Sequence, residues 1–212
     1  MIDLNFLLYS FIALFIIVDP IANVPIFMGI LSDFNRETRR EIVKKSVIIA
    51  TITLVIFTIS GEFVFRYLHI EIYSFRIAGG FLLFIIAIEM LFGKRTGTVS
   101  STEEEEEARV KEDVAITPLA VPLLSGPGAI TTSIVLFNSA QGISERFIVL
   151  FDIGAVFFIS YFILSRSEKV FDALGYTGTR VIVRIMGLLL ASIAIQFIIT
   201  GIKEAFLGIG HV

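Results

Sequence analysis

Six stretches of this chain, Leu4–Phe34, Lys45–Arg66, Ser74–Phe92, Val114–Ala140, Phe147–Ser165 and Val181–Leu207, are dominated by apolar residues over lengths that can span a membrane. About 20 such residues in a helix cross the hydrocarbon core of a bilayer. Within hydrocarbon every backbone N–H and C=O must be bonded inside the segment, so runs of this length have to be helical. Composition agrees: 56% of the 212 residues are hydrophobic and 17% charged, with a mean hydropathy of +0.90. A soluble domain is typically about 45–50% apolar and about 25% charged, and one of this size could not bury so much apolar surface. The expectation is an all-α membrane protein with six transmembrane helices.

The same composition excludes several chemistries. Cysteine is absent, so there is no disulfide, thiolate ligand or cysteine nucleophile. The two histidines, His69 and His211, stand beside no ligand set. No basic tract points to nucleic acid, and the net charge of -3 is small. The opening MIDLNFLLYS carries Asp3 and no Lys or Arg, unlike the cationic start of a secretory signal, and is expected to be a retained first span. The connections after the first, third and fifth spans, with their edges, hold most of the Lys and Arg, from Arg36, Arg39 and Arg40 to Arg180 and Arg184. The positive-inside rule then places those loops in the cytoplasm and both termini outside the cell membrane. The glutamate run Glu103–Glu107 falls in the long third connection and reads as a solvated acidic loop.

The chain also repeats itself. FRIAGGFLLFIIAIE (Phe75–Glu89) aligns with VRIMGLLLASIAIQ (Val183–Gln196): Arg184 stands 108 positions after Arg76, and Ala194 stands 107 after Ala87. DPIA at 19–22 falls on GPGA at 126–129 at the same offset of 107. Each copy holds three spans, and an odd number inverts the second copy, giving residues 1–92 as one repeat, 93–113 as an acidic cytoplasmic loop and 114–212 as the second, inverted repeat. Transporters built this way hold substrate near the bilayer midplane, at broken helices in matching positions of the two halves.

The matching breaks are Asp19–Pro25, within FIIVDPIANVPIF, and Pro122–Gly128, within PLLSGPGAITT. Proline inside a helix removes a hydrogen bond and clashes with the preceding turn, but it suits a first helical position. Asp19-Pro20 therefore reads as the cap and first residue of a new half-helix, and Gly126-Pro127 reads likewise in the second half. Spans one and four would be broken near mid-membrane, two helix N-termini facing one cavity. Such ends receive a carboxylate. Asp19 offers a charge to an ammonium group, Asn23, Ser125, Thr131 and Thr132 offer hydrogen bonds, and Ala22, Gly126, Gly128 and Ala129 restrict the ligand to a small one. With Pro20, Pro25 and Pro127 shaping the breaks, the combination fits a small zwitterion. Asp152, inside span five, is an intramembrane acid and with Asp19 a candidate for ion coupling. Glu89, Gln196, Arg76 and Arg184 lie near span ends, where a structural or snorkelling role is simplest, an inward-turned gate pair being the alternative for Arg76 and Arg184.

On DPIANVPIF and PLLSGPGAITT the chain resembles the MarC family of membrane proteins, over essentially its whole length. Asp19, Pro20, Ala22, Asn23, Pro25 and Phe27 fit the first family motif, and Pro122, Leu123, Ser125, Gly126, Pro127, Gly128 and Ala129 fit the second. The resemblance implies transport of small neutral amino acids such as glycine and alanine across the cytoplasmic membrane, driven by a proton or sodium gradient.

The expected function is thus secondary transport by alternating access, with substrate, a coupling proton or sodium ion and membrane lipid as partners, and homo-oligomers left open. The alternative is a channel or exporter for another small polar or zwitterionic solute, though a channel needs a continuous polar lining and polarity here clusters at the breaks. No phosphate loop or metal-spaced cluster suggests an enzyme, and no cofactor is expected.

Overall fold

A computed structural model describes residues 4–31, 34–67, 69–93 and 115–208; Glu103–Glu107 and most of the acidic loop lie outside them. All regular structure among these residues is helical: α1 (Leu4–Val18), α2 (Val24–Ile30), α3 (Arg36–Tyr67), α4 (Ile72–Phe92), α5 (Ala115–Leu124), α6 (Pro127–Ser139), α7 (Ile143–Ser165) and α8 (Ser167–Gly208). Four helical stretches, Arg36–Gly61, Ile72–Phe92, Ile143–Ser165 and Ser167–Phe206, are long and apolar enough to cross a membrane. α1, α2, α5 and α6 are shorter pieces on either side of the two breaks.

Over their membrane-length windows these helices are apolar, as expected of elements that pack on one face and meet lipid on the other. On α3, Val43, Val47, Ala50 and Leu54 form a buried stripe, whereas Ile48, Ile52, Ile56, Ile59 and Phe63 are exposed at helical spacing on another face. The main core lies between α1, α2, α3, α5, α6 and α7 around Leu14, Phe27, Leu54 and Phe157. A smaller core joins α4 and α8, with Leu83, Ala87, Leu190 and Ala194 at its centre and Ile16 and Val135 at its edge.

α4 and α8 run antiparallel and very close, on small residues. Gly201 lies against Tyr73 and Ile77, Gly80 against Ala194 and Ile198, and Gly187 against Ala87, Met90 and Leu91. Small residues let membrane helices approach to backbone contact, where dispersion replaces the hydrophobic drive that lipid does not provide. α8 bends at Gly175, whose φ of 63° favours glycine.

The two breaks form differently. Pro20 has no N–H to continue the α1 ladder, and Asp19 closes that helix in a left-handed conformation (φ 40°), its own N–H still bonded to the Phe15 carbonyl at 3.0 Å. A turn follows, and α2 starts only at Val24, with Asn23 at the cap position and Pro25 second in the helix. This corrects the expectation that Asp19 caps a helix beginning at Pro20. The carboxylate nonetheless serves the turn, accepting the Ala22 N–H at 3.1 Å. In the second break Gly126 is the cap and Pro127 the first residue of α6, as the sequence suggests. The segment before it, α5, is wound as a π-helix. Pro118 and Pro122 supply no N–H to a regular α ladder, and the Ser125 N–H reaches back five residues to the Ala120 carbonyl (2.9 Å).

Candidate functional site

The first break opens onto a cavity of about 370 Å³, within the range of small-molecule sites. Asp19, Ala22, Asn23 and Pro25 line one side. The end of α4, including Ile86 and Glu89, and the first part of α8 form the others, with Leu123 of α5 reaching in. Tyr176, Arg180 and Arg184 lie at four-residue spacing on α8, a single helical stripe, and all three line the cavity, as does Thr179. The Arg180 guanidinium stands 4.4 Å from the centre of the Tyr176 ring. The Thr179 hydroxyl donates to the Gly175 carbonyl at the bend (2.9 Å).

Asp19 and Asn23 are both nearly wholly buried. The Asn23 amide donates to the Val18 carbonyl, 3.0 Å away, satisfying one of the acceptors that α1 leaves at its end. Asp19 Oδ1 holds the Ala22 N–H, while Oδ2 has no hydrogen-bond partner among the described residues. A carboxylate oxygen left bare in a buried site is costly unless a donor arrives. The cavity lining therefore combines a bare acceptor on Asp19 with the side chains of Arg180 and Arg184 and a second carboxylate, Glu89, a set of both signs that suits a ligand bearing both charges.

Of the second break, only Leu123 lines this cavity. Ser125 donates through Oγ to the Ala120 carbonyl (2.9 Å) within its own segment. Gly128 packs behind the cavity wall: a methyl group on it would stand 2.8 Å from Ile17 Cδ1 and 3.0 Å from Ile86 Cδ1, and both isoleucines line the cavity. Thr131 presses on Gly79 of α4, and the buried Thr132 hydroxyl has no partner among the described residues. So Asp19, Ala22, Asn23 and Pro25 come together on the cavity, whereas Ser125, Gly126, Gly128, Thr131 and Thr132 are buried around the start of α6 and do not line it; Pro127, the first residue of α6, is exposed and does not line it either. Pro20 is buried in the turn and does not line the cavity.

Asp152 stands apart from both. It is fully buried on α7, where the Ser10 hydroxyl of α1 donates to its Oδ2, and its Oδ1 is unpartnered among the described residues. On the side of the molecule remote from the cavity, Arg76 near the start of α4 pairs with Glu204 on α8 and donates to Ser139 Oγ at the end of α6 (2.8 Å). Arg76 is buried, and the cavity reaches Phe92 and Gly93 at the other end of α4, roughly 25 Å away at 1.5 Å per residue.

Tyr176, Thr179 and Arg180 fall before the sixth apolar run, in the fifth connection, so hydropathy alone places Arg180 only among the basic loop residues and gives Tyr176 and Thr179 no role. The four-residue spacing of Tyr176, Arg180 and Arg184, just after Gly175, was the available signal.

Apolar helices with lipid-facing stripes and a polar break buried among them define an integral membrane protein. The description of a MarC family integral membrane protein matches residues 4–206. A UPF0056 membrane protein of Methanocaldococcus jannaschii is 40% identical, over 94% of this chain and 87% of the relative. One from Pyrococcus abyssi is 42% identical, over 92% and 94%, and YvbG of Bacillus subtilis is 34% identical, over 95% and 96%. The chain belongs to the MarC family. No solved structure matches it.

Proposed function

We propose that the protein is a secondary active transporter of small neutral amino acids, such as glycine and alanine, in the cell membrane. The observation that carries this reading is Asp19 Oδ2, a buried acceptor without a partner among the described residues, on a cavity also lined by Arg180 and Arg184. An α-ammonium group on Asp19 and an α-carboxylate toward the arginines answer both features.

In this reading the chain crosses the bilayer six times as two inverted three-helix repeats, with both termini outside. The pairing of α4 and α8 supports it. The offset of 108 that relates Arg76 to Arg184 sets Gly79 on Gly187, and the offset of 107 that relates Ala87 to Ala194 sets the adjacent Gly80 on Gly187. Gly80 contacts Ala194, and Gly187 contacts Ala87, the reciprocal contacts expected across a two-fold axis between repeats. The conformation is open toward the face carrying Gly93 and Arg180 and closed on the other by Arg76, Glu204 and Ser139. Rocking of the halves would exchange the two faces, with Asp19 and Asp152 as the groups that couple ion movement to the exchange.

The test is uptake of radiolabelled glycine and alanine into proteoliposomes, with and without a proton or sodium gradient. Saturable uptake that rises with one gradient is expected. Failure of any small amino acid to enter, or to exchange in counterflow, overturns the substrate assignment.

A further inference from the structure

A second cavity, of about 170 Å³, lies where α2 ends, α3 begins and α7 passes into α8. Its floor is core: Phe27, Leu31, Val43 and Leu164 are almost wholly buried. Around it stand Arg36, Arg39, Arg40, Arg166 and Lys169, against one carboxylate, Glu168. Cations at helix ends are commonly just solvated, but three features set this group apart.

Arg39 is held in place. Its Nε donates to the Phe34 carbonyl (2.7 Å) and its Nη1 to Glu168 (2.5 Å), so the one wall carboxylate is engaged and four further cations remain around the cavity. The long helix α3 and the short first segment of α8, which runs from Ser167 to the bend at Gly175, both begin at this point, bringing the positive ends of their dipoles to the same place. Ser165 Oγ, on the cavity wall, is buried with no hydrogen-bond partner among the described residues. Excess positive charge and a spare hydroxyl call for an anion rich in acceptor oxygens, as a phosphate ester is.

The surroundings indicate the source of that phosphate. The Arg166 guanidinium lies 5.3 Å from the centre of the Phe162 ring, which meets Phe158 edge-on at 4.8 Å, one turn further into α7. Both rings are exposed, 40% and 64%, on a helix apolar enough to cross a membrane. They form an apolar track leading from the cations toward the bilayer interior, the place for an acyl chain. We propose that this cavity seats the phosphodiester headgroup of an anionic phospholipid on Arg36, Arg40, Arg166, Lys169 and Ser165, with an acyl chain along Phe162 and Phe158. Basic pockets between membrane helices are known seats for such headgroups.

The experiment is native mass spectrometry and thermal unfolding of the purified full-length protein with phosphatidylglycerol, phosphatidylcholine or inorganic phosphate added. Phosphatidylglycerol is expected to bind and raise the melting temperature, and phosphatidylcholine not to. Arg40→Gln and Lys169→Gln, at exposed side chains, should each weaken phosphatidylglycerol binding about five-fold. Ser165→Ala should weaken it too, and Arg146→Gln, at the far end of α7, should leave it unchanged. Equal binding of the two lipids, or indifference to Arg40→Gln and Lys169→Gln, overturns the site. Inorganic phosphate stabilising the protein as strongly as phosphatidylglycerol overturns the lipid assignment and leaves a free-anion site.

Discussion

Gly80 on α4 and Ala194 on α8 approach so closely that a methyl group on Gly80 would stand 2.8 Å from the Ala194 carbonyl oxygen; the corresponding group on Gly187 would stand 3.1 Å from the carbonyl oxygen of Ala87. Backbone cannot retreat as a flexible side chain can, so each substitution must push α4 and α8 apart. We predict that Gly80→Val and Gly187→Val each destabilise the protein by about 1–3 kcal/mol, the usual cost of overpacking. Thermal unfolding in detergent measures this. The two positions meet the facing helix in the same way and should respond alike, and indifference at either one would remove the backbone contact from any account of stability.

A second prediction concerns Asp19. Asn keeps the shape and can still accept the Ala22 N–H, but it removes the charge offered to an ammonium group. Asp19→Asn should weaken binding of a small zwitterion by about 10- to 100-fold, the worth of a hydrogen bond to a charged group, with a thermal midpoint close to wild type. Isothermal titration with glycine reads the affinity directly. Wild-type affinity in the variant would show that the bare Oδ2 serves something other than substrate.

Both breaks were legible in the sequence because proline and its neighbours act locally, and the start of α6 at Gly126-Pro127 needed nothing more. The left-handed closure at Asp19 was not legible. Asp-Pro is equally a helix start on local grounds, and only the turn that carries Asn23 back to the Val18 carbonyl shows that α1 ends there instead. The cavity was half legible. Its first wall is the motif itself, but its second is the stripe Tyr176, Arg180 and Arg184, more than 150 residues later in the chain. Likeness between the two motifs also does not put them on one wall: Gly128 is spent on packing against Ile17 and Ile86, and Ala129 lies in the main core.

That packing yields a third prediction. The Gly128 contacts are the free ends of two isoleucine side chains, which can rotate, and both face the cavity. Gly128→Val should therefore fold, while driving Ile17 and Ile86 into the space. Alanine should lose more affinity than glycine, because it needs more room. Equal losses for both would indicate a distortion of the break rather than a narrowed pocket.

The fourth prediction tests closure at the Arg76 end. Arg76 is buried, paired with Glu204 and bonded to Ser139, so α4, α8 and α6 are tied together on the side remote from the cavity. Glu204→Gln keeps the length of that tie and removes its charge; the pair, with Arg76 nearly dry, is the kind whose loss leaves an uncompensated buried cation. The chain has no native cysteine, so a single Thr132→Cys, at a buried position on α6, reports access from that side. It should react slowly with a membrane-impermeant maleimide applied from the Arg76 face, and severalfold faster when Glu204→Gln is added. Uptake should become leaky or uncoupled in the same variant. If the labelling rate does not change, the three residues are a static brace, and closure of that face has to come from the packing of α4 on α8 alone.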